Sequence, residues 1–232
     1  MPQPSRQLAR LHTQYRDATQ AVRDRTKTQV AATWTSLPDY KDASVEHFAN
    51  RSSRLVAAGA VATGTLTAAF IEYVVRERTG TAQRATIDTA RLTSLRKGID
   101  PVEVYMRPGR QVWWELSKGV DYLAAVDRGL TRALTLTSTD LQLAKIDAGS
   151  QAMQAQPEIT AYERVTGPAP CELCQEAAGT LYKSDELMEL HDNCSCDLVP
   201  VIGEPQFGTA TGFGSAPTTE NDELGRVLAT LP

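Results

Sequence analysis

Leu55-Val56-Ala57-Ala58-Gly59-Ala60-Val61-Ala62-Thr63-Gly64-Thr65-Leu66-Thr67-Ala68-Ala69-Phe70-Ile71 runs for seventeen residues without a charged side chain. It is at the short end of what a membrane-spanning helix needs, and its Ala, Gly and Thr content makes it only feebly apolar. Read instead as a buried helix, it places Ala60, Gly64 and Ala68 four residues apart on one face, where small side chains let a neighbouring helix approach closely. That reading sets the class: a mainly α protein of long packed helices, with no membrane span.

Working outward, the apolar stretch belongs to a helical region over 42–78 that Gly80-Thr81 ends. Upstream, Leu8, Leu11, Tyr15, Ala18 and Val22 recur at spacings of three and four and continue through Thr26, Val30 and Trp34, which predicts a first helix over 5–36. At about 1.5 Å per residue it would be a rod near 48 Å long. Such a rod is too long for one compact core, and its narrow stripe predicts packing against a partner or a second copy of the chain. Leu37-Pro38-Asp39 stops it. Downstream, an amphipathic helix is expected over 82–97, closed by Lys97-Gly98. Ile99 to Arg110, with Pro101, Pro108 and Gly109, reads as a turn or crossover between helices. A helix over 112–136 follows, with Gly129 marking a break or kink. Thr137-Ser138-Thr139-Asp140 caps a last helix over 140–156, and Pro157 ends the helical domain, 1–157. Trp113 and Trp114 read as one core contact and one rim contact.

Residues 158–202 change character. All four cysteines and one of three histidines fall between 171 and 196, as Cys171-Glu172-Leu173-Cys174 and His191-Asp192-Asn193-Cys194-Ser195-Cys196. Two thiolates two residues apart sit on one tight turn and can grip a tetrahedral ion, and a second knuckle closes the shell from a distant turn. Five groups, Cys171, Cys174, His191, Cys194 and Cys196, compete for four places. In an extended segment Cys194 and Cys196 point the same way, and His191 either bonds the ion or supports it from outside. Two disulfides are the alternative. Met1-Pro2-Gln3-Pro4-Ser5-Arg6 leads into a charged stretch without the apolar core of a signal peptide, so a reduced compartment and a structural zinc are expected. Tyr162, Val165, Leu181, Tyr182, Leu198, Val199 and Val201 suggest short strands, too few to make a core without the ion. The expected fold is thus an extended helical domain, a small zinc-stapled α+β module over 158–202, and a flexible acidic tail over 203–232.

Composition narrows the function. With 232 residues and 41% hydrophobic content the chain can bury a real core, while 6% aromatics and abundant Ala and Thr favour close-packed helices. The net charge of −4 is uneven. Residues 1–35 carry six Lys or Arg against two Asp, and residues 161–232 carry three against twelve acids. The basic arm reads first as a solvated helix face and second as a contact for nucleic acid or an acidic protein face, and a DNA-binding regulator would need basic residues around the knuckle, where the balance is acidic. Phosphate loops and a nucleophile elbow are missing. Glu172, Glu176, Asp192 and Asp197 are the carboxylates near the cysteines, while His12 and His47 lie far off in helical sequence, so a catalytic zinc has no evident partners. No catalytic residues are assigned.

Ala161-Tyr162-Glu163-Arg164-Val165 before the Cys-x2-Cys pair, Gly179-Thr180-Leu181-Tyr182, and His191 to Pro200 together resemble the C-terminal signature of the phage Mu F-like minor head proteins. Asp100-Pro101-Val102 through Arg107-Pro108, with Thr139 to Ala144, is similar to the MuF-like minor capsid proteins of actinobacterial tailed phages. The cysteine motif covers about 45 residues, and the weaker helical similarity about half of the chain. Asp192 stands where the family has proline and Ser195 where it has arginine; the ligand set is intact, whereas any contact made by that arginine is lost. The resemblance implies a virion component present in few copies, in the head interior or at the portal vertex and in the host cytoplasm during assembly. Its implied partners are the portal protein and the major capsid protein, and its implied role is in head morphogenesis or DNA packaging. A zinc-dependent enzyme associated with the head, a nuclease or toxin-like transferase, is the alternative.

Overall fold

Three long helices lie side by side: α1 (Arg6–Thr35), α2 (Asp42–Thr79) and a later one over Tyr122–Gln154. The computed structural model describes residues 6–203 except 95, 97, 168, 169, 187 and 189. Residues 204–232, almost all of the expected tail, lie outside the described residues.

The charge-free stretch is the helical core that its composition predicts. Ala60, Gly64 and Ala68 are buried, and a Cβ on Gly64 would come within 2.4 Å of Leu92 Cδ1 and 3.2 Å of Ala148 Cβ. α2 is long and apolar enough to cross a membrane, yet half of its most apolar window is buried against the chain's own elements. Its end is also as read, with Gly80 at φ +83 returning its N–H to Arg76 O.

The first helix differs from expectation in what covers it. Leu8, Tyr15, Thr26, Val30 and Trp34 are buried, and Leu11, Ala18 and Val22 are half-buried. α2 and the Tyr122–Gln154 helix are as long as α1, so an elongated core runs the whole length of the rod and satisfies its apolar stripe within the chain. On the outer face of α1, Arg10, Asp17, Asp24 and Arg25 are exposed.

Downstream of Gly80 three expectations are corrected. No helix spans 82–97: residues 81–88 form a non-helical strap, and among the described residues of that range only α3 (Thr89–Thr93), capped by Asp88, is helical. The strap's amides find partners elsewhere, Ala85 N on Glu72 Oε1, Gln83 N on Gln156 Oε1 and Asp88 N on Gln151 Oε1, while Ala82, Ala85 and Ile87 pack on the core. Residues 101–110 are not a crossover but the first part of α4 (Pro101–Ser117). Pro101 occupies the first turn, where a missing N–H costs nothing, and Asp100 Oδ1 accepts from Val102 N. The two helices expected over 112–136 and 140–156 are redrawn, with a break at Lys118 to Asp121, where Gly119 adopts φ +78.

α5 (Tyr122–Gln154), capped by Asp121, then continues unbroken through Gly129 and Thr137-Ser138-Thr139-Asp140. Gly129 is needed for packing and not for a kink, since a Cβ there would sit 2.7 Å from Trp34 Cζ2. Thr137 Oγ1 donates back to Ala133 O, and Asp140 accepts from Arg96 and Tyr105, so neither side chain is available as a cap.

The C-terminal module is a three-stranded antiparallel sheet, β1 (Ile159–Val165) between β2 (Leu181–Lys183) and β3 (Asp197–Ile202), with a one-turn helix α6 (Glu172–Glu176) inserted. It shares a core with the helices: Cys174, Cys194, Cys196, Tyr162 and Leu198 belong to one apolar cluster with Leu8, Phe70 and Met153. Borrowed helical side chains thus supply what the module's few apolar residues lack.

Candidate metal centre

Two turns built on the sheet present the donors. Cys171 is the residue preceding α6, its carbonyl accepting from Gln175 N, so Cys171 and Cys174 lie one helical turn apart. The turn after α6 is tied to β1, with Gly179 N donating to Arg164 O and Arg164 N donating to Thr180 O. On the other side, Cys194 N donates to His191 O, and the turn passes through Asn193 at φ 62, a left-handed conformation that asparagine tolerates better than most residues.

These turns bring all five sequence-predicted donors together in two overlapping groups. Cys171 Sγ, Cys174 Sγ and His191 Nε2 lie within 4.8 Å of one another, as do the sulfurs of Cys174, Cys194 and Cys196. Cys174 is common to both. Its sulfur is 2.9 Å from His191 Nε2 and 3.3 Å from Cys196 Sγ, while Cys171 Sγ is 3.2 Å from His191 Nε2. Tetrahedral zinc with bonds of about 2.3 Å to sulfur needs sulfurs about 3.8 Å apart, which is the scale of this cluster. All four cysteines are unpaired. His191 Nδ1 lies 2.8 Å from Asp192 O, to which it can only donate, so the ring proton sits there and the Nε2 lone pair faces the sulfurs. Cys171 is exposed, whereas Cys174, Cys194 and Cys196 are buried.

Arg164, quoted in the sequence only as part of a strand, proves to be part of the centre. Its Nη2 is 3.6 Å from Cys174 Sγ and 4.0 Å from Cys194 Sγ, and its Nε is buried without a hydrogen-bond partner. Burial opposes the guanidinium charge, but hydrogen bonds to Cys196, Tyr182 and Cys174 outweigh it and hold Arg164 firmly charged. Cys196 is pulled down to about 5, first by the hydrogen bond from Cys194 and then by Arg164 against its burial. Cys194 moves up through that same bond and through burial, and burial pushes Cys174 up to about 11. The cluster thus readily supplies one thiolate, on Cys196, and keeps its neighbours as donors to it.

Beneath the knuckle lies a buried ionic layer that sequence reading missed. Asp197, fully buried, receives Lys145 Nζ at 2.7 Å and Arg16 Nε at 3.1 Å, and His12 Nε2 sits 3.2 Å away without hydrogen-bond geometry. Burial alone would raise the Asp197 carboxyl, but Lys145, His12 and Arg16 hold it far below the usual carboxylate range. Beside it Gln142 donates to Cys196 O at 2.6 Å and accepts from Arg23 Nη2 at 2.6 Å. So His12, remote in sequence, is adjacent to the module, while His47 is exposed. Of the carboxylates near the cysteines, Glu172, Glu176 and Asp192 face solvent, and Asp197 points into the basic layer. Only the polar interruptions His12, Thr19 and Arg23 within the stripe of α1 hinted at this layer.

A site of four thiols and one imidazole, with its His oriented by a carbonyl and a cation beside its sulfurs, has the chemistry of a soft or borderline divalent ion and not of Mg2+ or Ca2+. The cluster can hold a metal ion. No family model, curated protein or solved structure matches the chain.

Proposed function

We propose that this chain is a minor capsid protein of a tailed phage, acting in head morphogenesis near the portal and carrying one structural zinc ion. The observation that supports this most is that every segment of the motif resemblance falls in one structural unit. Ala161 to Val165 lies in β1, Cys171 and Cys174 flank and enter α6, Gly179 to Tyr182 make the turn into β2, and His191 to Pro200 form the second turn and most of β3. The resemblance therefore follows a stapled fold and not scattered letters.

With five donors for four places, the shell closes on protein ligands and leaves water no position at which to be activated, which makes the ion structural. Long helices ending in this staple suit a part assembled with the portal and major capsid proteins. Two measurements test the reading. The genes flanking this one should encode a portal and a major capsid protein, and mass spectrometry of purified heads should detect the chain in few copies. Heads that contain portal but lack this chain overturn the capsid role. Elemental analysis of the reduced protein should give one zinc per chain.

A further inference from the structure

The knuckle end buries more positive charge than its carboxylates can balance. Arg164 is 3% exposed, Arg23 8% and Lys145 4%, and the half-buried Arg16 stands beside them. Asp197 is the carboxylate that meets this group, and it is already shared by Lys145 and Arg16. Arg23 ends on the neutral amide of Gln142, with Cys194, Asp197 and Asp24 near enough to act on it electrostatically. Arg164 has no carboxylate within ion-pair distance among the described residues, and its guanidinium lies against Cys174 and Cys194.

A guanidinium does not shed its proton, and a buried charge without a counter-charge costs several kcal/mol. The compensating charge must therefore reside on the cysteine cluster. A divalent ion with two thiolates and two neutral ligands sums to zero and leaves Arg164 unmatched. With three thiolates and one imidazole the centre carries −1, and with four thiolates −2.

We infer that Arg164 is the counter-cation of an anionic metal centre and a positioning residue for its sulfurs. This rests on the metal reading above. His191, with its Nε2 lone pair turned to the sulfurs, fits the fourth place beside three thiolates. Arg23, reaching in from α1, adds to the same compensation, so the charge of the centre helps hold the first helix to the last strand. The inference also gives Arg164 a purpose that strand packing alone does not: a long, permanently charged side chain in the middle strand is tolerated because the sulfurs it faces become negative.

The test uses the full chain loaded with Co2+, whose sulfur-to-metal charge-transfer intensity counts bound thiolates, and zinc competition against a chromophoric chelator. Wild-type protein should show three or four thiolates. Arg164→Met should bind zinc about 10- to 100-fold more weakly, the usual cost of losing a group that supports a ligand, and Arg164→Lys should recover most of the loss. Arg164→Met binding as tightly as wild type overturns the inference while leaving the metal site standing, whereas cobalt bound by only two thiolates overturns the closed four-donor shell itself. A chain that takes up neither metal overturns the metal reading itself. If Arg164→Met does not fold with wild-type helicity, Arg164→Gln, which keeps a polar side chain and loses the charge, decides: zinc affinity equal to wild type overturns the inference.

Discussion

At the α4–α5 end, Val30, Trp34, Phe48, Tyr105 and Val112 form a core of aliphatic and aromatic side chains, with Phe48 edge-on to Trp34. At the sheet end, Leu8, Tyr15, Phe70 and Met153 share their core with three cysteines, and ionised groups lie between the helices and β3. The first core is stabilised by area removed from water, a term indifferent to pH and metal. The second buries guanidinium, ammonium, carboxylate and thiol groups that are tolerable only while each finds its complement. One bundle is thus held by dispersion and hydrophobicity at one end and by charge matching at the other. Even the apolar end is not free of polar cost, since Trp34 Nε1 is buried without a partner.

The largest effect is expected from removing the proposed zinc. Structural zinc contributes roughly 10 kcal/mol or more to small modules, so chelation, or Cys174→Ser with Cys194→Ser, should unfold the sheet end. Hydrogen exchange should then show protection lost over 159–203 and in the first half of α1, but kept around Val30, Phe48 and Val112. Uniform loss along α2 and α5 would show that the two ends are one cooperative unit.

Asp197→Asn comes next. It leaves Lys145 and Arg16 facing a neutral amide, and breaking such a buried pair costs about 3–5 kcal/mol. The pH dependence has a definite sign. The carboxyl titrates lower in the folded chain than its ordinary 3.8, held there by Lys145, Arg16 and His12. Its contribution is complete above about pH 4 and is lost as pH falls through the lowered value. Chemical denaturation from pH 7 to pH 2 should show this slope in wild type and not in Asp197→Asn.

Trp34→Ala, at the opposite end, should cost about 3–5 kcal/mol through the cavity it leaves beside Gly129 and Phe48, with zinc content unchanged. Loss of zinc in that variant would dissolve the distinction between the ends. The smallest effect is expected at Trp114, which is 56% exposed. Trp114→Ala should change stability by no more than about 0.5 kcal/mol in thermal melts.

The two ends were also unequally legible in the sequence. The five donors could be read because metal ligation imposes short spacings on adjacent turns, and Ala60, Gly64 and Ala68 because close helix packing demands small residues at fixed intervals. The buried ionic layer could not be read, because its members come from α1, α5 and β3 and are joined by tertiary contact alone. Pro101 and Gly129 misled for a related reason. Each breaks helices by local rule, yet Pro101 sits where a helix begins, and Gly129 fits under the ring of Trp34. The strap over 81–88 was unreadable because its hydrogen bonds end on side chains as distant in sequence as Gln151 and Gln156.

Arg16 and Asp197 are separated by 181 positions, and Arg23 and Gln142 by 119. As the polypeptide leaves the ribosome, α1 can pair with α2 early and Arg23 can meet Gln142 once α5 is made, but Arg16 and His12 have no carboxylate partner until β3 brings Asp197. Contacts of such long sequence range are formed late, because chain closure costs entropy before they return anything. Until β3 is made the growing chain displays Arg16 on its first helix without its carboxylate, and the strand that supplies it is the one whose first residue directly follows Cys196, the last of the five candidate donors.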